Sequence, residues 1–276
     1  MKTLVGIISY NTLGFTSYQY SKIKDLDHLV IDNGSTDGSA SFVSNKTKSH
    51  IINTTNLGFT KAFNQILEYS ISHNYDYTYV QNTDCLFDYS NLDNLHVLDA
   101  GIVGPKILQA IDTQVIDGHH TIQSAGVASI KPVSQYSNVL IEVDDYVIDN
   151  KVFAYNSYTT NRIGHEYGND FNDVELVDSI MFVSCLINND VIYNIGYLNE
   201  DMVNYGSDTE YCLRAIDHGW KVVYNPSVSC HHIQHGSSSG TSPISSWKDL
   251  NVLESILVAK NKGVGYNGLD NNGRNP

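Results

Sequence analysis

Apolar residues come in short runs along the first part of the chain, and each run ends on a polar or turn-forming residue. The run around Leu4, Val5, Ile7 and Ile8 predicts a strand over 4–9. Further runs predict strands over 28–31 (ending at Asp32), 50–53, 77–81 (ending at Asn82) and 100–104, the last closed by Pro105. Between the third and fourth runs the period changes. Phe59, Ala62, Phe63, Ile66 and Leu67 recur at i, i+3, i+4, i+7 and i+8, one face of a helix whose start Asn56 or Thr60 can cap. Strands that alternate with helices at this spacing imply a mainly parallel sheet covered on both faces, an α/β fold. Such sheets bind ligands beyond the carboxyl ends of their strands. Asp32 and Asp84 each stand just past a predicted strand end.

The pattern weakens over 107–176, which is polar, tyrosine-rich and poorly periodic. Residues 139–143 and 151–155 read as strands of a hairpin or excursion, and 170–173 as a loop; part of an acceptor side, a smaller excursion from the sheet, is expected here. Periodicity returns with a strand, or strand and turn, over 177–188 and a short helix over 190–195 stopped by Gly196. Ser207 and Glu210 match a capping box for a helix that runs to His218 and stops at Gly219. A strand over 220–224 is expected to halt at Pro226, a last helix to span 245–262, and the Gly- and Asn-rich tail 263–276 to be loose. The expected organisation is one domain over 1–262, with a nucleotide-binding half (1–106) and an acceptor-side half (107–262).

Composition narrows the partners. With 276 residues the chain can bury a core without disulfides, and its four cysteines form no Cys-x-x-Cys pair, which fits a reducing cytosol. Cys185 and Cys212 read as small core residues. No run approaches the roughly 18 apolar residues of a membrane span, and the N-terminal run reads as a buried strand rather than a signal peptide. A cytoplasmic location is therefore expected. The net charge of −14 repels polyanions in bulk, which weighs against nucleic acid as a non-specific partner. A small polyanion remains compatible if a divalent cation screens it.

Candidate chemistry sits at the strand ends. Asp32-Asn33-Gly34-Ser35-Thr36-Asp37-Gly38-Ser39 is a turn by composition, but Asp32 at a strand end can also accept hydrogen bonds from a base or ribose. Ser9, Tyr10 and Asn11 follow the first strand beside it. No Gly-x-Gly-x-x-Gly cradle follows one of these predicted strands to open a helix, and no Gly-Lys-Ser/Thr is present. Asn82-Thr83-Asp84 offers a carboxylate for Mg²⁺ or Mn²⁺, hard cations that combine few carboxylates with phosphate oxygens. Asp208 has a structural role available in the first helical turn. The same position also suits a general base toward a hydroxyl, with the dipole expected to keep it ionised. His231 and His232 are strand neighbours that point opposite ways; their tight spacing with Cys230 gives poor tetrahedral closure for zinc.

Taken in order, these segments resemble the inverting glycosyltransferases of family 2, with the GT-A fold, and especially their rhamnosyltransferase-like branch. The resemblance covers roughly residues 3–235. It rests on Ser9-Tyr10-Asn11, on the segment 30–39, on Asn56-Leu57-Gly58-Phe59 with Asn64, on Asn82-Thr83-Asp84, on Ser124-Ala125-Gly126, and on the Gly206 to Arg214 block. The resemblance implies a nucleoside-diphosphate sugar donor and a hydroxyl acceptor on a glycan, a lipid-linked group or another molecule. It implies that Ser9, Tyr10, Asn11, Asp32, Asn56, Gly58, Phe59, Asn64, Asn82 and Thr83 form the donor site. It further implies that Asp84 and His232 (His231 second) hold Mn²⁺ or Mg²⁺ and that Asp208 is the base. The chain departs from the family at Ser207, where an acid is usual, and at Asn82, where the metal motif usually opens on aspartate. Two alternatives stay open: a non-catalytic sugar-nucleotide or glycan-binding module, and a transferase acting on modified bases in DNA.

Overall fold

The computed structural model describes residues 1–110 and 171–233, short strands between 122 and 152, and residues 249 and 252. The first half alternates β1 (Thr3–Ser9), α1 (Leu13–Ile23), β2 (His28–Asp32), α2 (Ser39–Lys46), β3 (His50–Ile52), α3 (Phe59–Ser72) and β4 (Tyr77–Asn82). Then come β5 (Cys85–Phe87), a 3₁₀ turn over Tyr89–Leu95, β6 (Ala100–Ala110) and β7 (Ile122–Ser124). β8 (Ser137–Asn138), β9 (Ile141–Val143), β10 (Tyr146–Ile148) and β11 (Lys151–Val152) follow. The second half carries β12 (Glu175–Leu176), β13 (Ser184–Asn188), α4 (Asn189–Ile195), α5 (Ser207–Asp217) and β14 (Lys221–Ile233).

Ten strands form one sheet with the path β12-β14-β6-β13-β4-β1-β2-β3, β5 pairing with β14 and β7 with β6. β1 lies parallel between β2 and β4, β3 is parallel to β2, and β14 is parallel to β6. β13 runs antiparallel to both β4 and β6. The sheet is thus mixed but mostly parallel along its main path, as the alternation of strand and helix predicts. Period-two alternation on β1 sorts its side chains to two faces. Leu4 and Ile8 join Phe63 and Ile66 of α3, Val191 of α4 and Tyr211 of α5. Val5 and Ile7 join Ile23 of α1 and Val43 of α2.

Two proline expectations fail for one reason. β6 continues through Pro105 and β14 through Pro226. Between them the register slips: Asn225 pairs with Pro105 but Ser229 pairs with Lys106. A proline lacks the N–H a regular ladder needs, and an irregularity is where a sheet tolerates it. In the middle, β9 pairs with β10 and β8 with β11, two antiparallel ladders rather than one hairpin from 139–143 to 151–155. Residues 139–140 and 153–155 lie outside the described residues, as do Ala125, Gly126, most of the expected helix 245–262 and the tail.

Candidate active site

β1 and β2 end side by side, with Ser9 in register with Asp32. Asp32 is 0% exposed. Its Oδ1 accepts from the Ser35 amide at 2.9 Å, while its buried Oδ2 has no hydrogen-bond partner among the described residues. An unmatched buried acceptor is costly, and a donor group from a ligand would relieve it. Asn11, at φ 51°, braces the same turn: its amide N–H donates to Ser35 Oγ, and its Oδ1 accepts from the Thr36 amide at 2.7 Å. Tyr10 is half-buried beside it. Asn33 knits this turn to the entrance of α3. Its Nδ2 donates to Asn56 Oδ1 and the Gly58 carbonyl, and its Oδ1 accepts from Asn53 and the Leu57 amide.

β4 ends at Asn82, and Thr83 and Asp84 turn the chain into β5. Thr83 is buried against Thr12, with 3.0 Å between the hydroxyls. Pairing of β5 with β14 sets His232 opposite Cys85 and His231 opposite Leu86. Because facing residues share a sheet face and successive ones alternate, His232 lies on the side of Cys85, and His231 on the other. His232 Nε2 stands 3.5 Å from Asp84 Oδ1, and donor atoms of Asp84, Cys85 and His232 all fall within 4.8 Å of one another. One carboxylate and one imidazole suit Mn²⁺ or Mg²⁺ when phosphate oxygens complete the shell. Burial pushes the Cys85 thiol well up, with hydrogen bonding to Cys230 adding to the effect.

Asp208 opens α5, but not through a capping box. Gly206, at φ 77°, takes the cap position without a side-chain hydrogen bond, and Ser207 is already the first helical residue. Ser207 Oγ instead accepts from Thr60 Oγ1 at 3.1 Å. Glu210 holds Arg214 from both oxygens, and Arg214 also donates to the carbonyls of Ile195 and Tyr197. Arg214, paired with Glu210 inside α5, therefore ties that helix to the end of α4 through the Ile195 carbonyl. Asp208 keeps an edge open to solvent while protein surrounds most of it. Desolvation pushes its carboxyl up from the ordinary value, against hydrogen bonds from the Thr209 and Phe182 amides that pull it down. Burial outweighs the pull of the first-turn amides on this carboxyl. The Phe182 contact also fixes its location, because the neighbouring Val183 carbonyl accepts from the Asn82 amide at 3.0 Å. Asp208 belongs to the rim where β4 ends.

The other predicted residues serve in different ways. The N-cap of α3 is Gly58, without a side-chain cap; neither Asn56 nor Thr60 fills that position. Asn56 Oδ1 accepts from the Gly58 amide, and the Phe59 amide donates to Asn204 Oδ1. Asn64 spends its side chain on the Leu198 backbone and on Glu200. Sequence reasoning passed over Cys85, although it directly follows Asp84. It also passed over Lys106, only 2% exposed, which donates to Asn172 at 2.7 Å and whose pKa burial lowers. A lysine inside an apolar strand after Pro105 was the available signal. A cavity of about 680 Å³ opens beside the β1–α1 turn, lined among others by Asn11, Phe15, Tyr18 and Asp37.

Known proteins place this architecture. No family model matches the chain, and no curated protein sequence matches it. Among solved structures, GalNAc-T7 with UDP, GalNAc and Mn²⁺ superposes with a TM-score of 0.63 at 13% identity, covering 96% of this chain and 50% of that one. The 1–349 fragment of S. aureus TarS gives 0.51 at 14%, covering 94% and 66%. The same fragment in complex with UDP-GlcNAc gives 0.50 at 14%, covering 97% and 73%. The chain spans half the length of GalNAc-T7. At these identities the likeness is one of fold, and that fold is the GT-A fold of the glycosyltransferases.

Proposed function

We propose that the chain is a metal-dependent inverting glycosyltransferase of the family 2 type, closest in its motifs to the rhamnosyltransferase-like branch. It would move a hexosyl or deoxyhexosyl group from a nucleoside-diphosphate sugar to an acceptor hydroxyl. The observation that carries the reading is the meeting of unlike acidic groups at one rim. Asp32 offers a buried open acceptor, Asp84 stands with His232, and Asp208 lies at a helix mouth beside the end of β4.

In this reading Asp32 Oδ2 receives a hydrogen bond from the nucleoside, with Tyr10 and Asn11 beside it. Asp84 and His232 would hold Mn²⁺ or Mg²⁺, which would offset charge on the leaving diphosphate. Asp208 takes the proton of the acceptor hydroxyl. The acceptor oxygen bonds to the anomeric carbon as the bond from that carbon to the phosphate oxygen breaks, and configuration inverts. A carboxyl raised by desolvation is a better base than an ordinary one. UDP is the first donor base to try, because GalNAc-T7 and TarS were seen with UDP or UDP-GlcNAc. The experiment is release of UDP from a panel of UDP-sugars with Mn²⁺ or Mg²⁺, alongside hydroxyl acceptors. No release with any donor and ion would favour the alternative of a binding module; transfer to hydroxymethylated DNA would favour the modified-base reading.

A further inference from the structure

The loop that delivers Asp208 is held from a distant part of the chain. Val203, Asn204 and Tyr205 immediately precede Gly206, and their three consecutive backbone N–H groups converge on one carboxylate. Asp249 Oδ1 accepts from the Val203 amide at 2.9 Å, and its Oδ2 from the amides of Asn204 and Tyr205 at 2.8 and 3.1 Å. Asp249 is fully buried. Consecutive amides aimed at one point make an anion-binding nest, and here the chain fills its own nest with charge-assisted hydrogen bonds, which are stronger than neutral ones.

The far side of the same loop rests on the mouth of α3. The Val203 carbonyl accepts from the Thr60 amide at 3.0 Å, and Asn204 Oδ1 accepts from the Phe59 amide at 3.1 Å. There is no slack in this contact: a Cβ on Gly58 would meet Val203 Cγ1 at 2.3 Å. Thr60 then reaches Ser207, the residue before Asp208. The loop is therefore pinned between α3 and Asp249, and release on the Asp249 side removes the charged acceptor from three consecutive part-buried amides.

We propose that Asp249 is a positioning residue: by closing the nest of 203–205 it fixes where α5 begins and hence where the Asp208 carboxylate points. The inference rests on the reading of Asp208 as the base, but its first readout does not. Amide hydrogen exchange on the full chain should show residues 203–205 exchanging roughly tenfold or more faster in Asp249→Asn than in wild type, as loss of a charged acceptor implies. Amides of β1 should be unchanged. UDP release from UDP-GlcNAc with Mn²⁺ should lose about 10²-fold in kcat, the scale of an ångström-level misplacement, with KM for the donor held. In Asp249→Ala, added formate should refill the nest and restore part of kcat, without effect on wild type; a merely disrupted fold would not respond. Retained protection at 203–205 in Asp249→Asn overturns the proposal. So does accelerated exchange with kcat intact. A fully active Asp208→Asn variant would instead reject the base, and the exchange contrast would still decide whether Asp249 holds the loop.

Discussion

Two carboxylates at one rim are held in opposite ways. Asp32 sits in a turn that supplies its own partners: Ser35 bonds it, and Asn11 and Asn33 brace the loop around it. One of its oxygens has no hydrogen-bond partner among the described residues, which in the proposed reading leaves it for a donor group on a ligand. Asp208 is delivered by a loop whose partners lie far away in sequence, at Thr60 and at Asp249. Burial raises the pKa of its carboxyl. In the proposed reading, local turn chemistry makes an acceptor for recognition and long-range packing makes a base.

That contrast can be broken most directly at Asp208. Asp208→Asn should lower turnover by roughly 10²–10⁴-fold while UDP binding, followed by calorimetry, stays near wild type; unchanged turnover would remove the base from the scheme. Its raised pKa adds two signs to check. As pH falls, Asp208 protonates earlier than an ordinary carboxyl, so the acid limb of kcat should lie higher than an ordinary aspartate would put it and disappear in the asparagine variant. A folded pKa above the unfolded one gives stability that is present below the unfolded value and lost as pH rises through the folded value. At neutral pH, Asp208→Asn should therefore melt no lower than wild type.

Asp84→Ala should come next. Metal-dependent UDP binding should weaken by more than the roughly 10–100-fold that a change behind a metal ligand costs, with His232→Ala acting alike and His231→Ala nearly silent. Titration calorimetry with and without Mn²⁺ reads this, and an equal loss in both conditions would count against a metal there. Asp32→Asn should weaken UDP by roughly 10–100-fold through loss of one charged hydrogen bond, with kcat at saturating donor preserved; a loss confined to kcat would erase the contrast between recognition and base. The smallest effect belongs to the seam between the two sides. Gly58, at φ 85° and in contact with Val203, should tolerate alanine only at a cost of about 1–3 kcal/mol in denaturant unfolding. A neutral Gly58→Ala would mean that the 203–205 loop is not pinned.

The alternation of strands and helices was legible because β1, β2 and β4 are buried on both faces and read as short apolar runs, while α3 buries one helical face and reads at its period. Asp32 and Asp84 could be named from sequence since a strand end followed by a polar turn is a local feature. Pro105 and Pro226 misled because each alone reads as a stop; only their meeting at the slip between β6 and β14 lets both strands continue. Ser207 and Glu210 misled in the same way. Their spacing fits a capping box, but Thr60 and Arg214 claim them first.

From the amino-acid order alone came the fold class and the acidic positions at strand ends, properties set by near neighbours in the chain. The pairing of His232 rather than His231 with Asp84 was left to the register of β5 against β14. The raised pKa of Asp208 and its tether through 203–205 to Asp249 also came only with the tertiary structure. Register and desolvation depend on which distant segments pack together, and no local pattern carries that information.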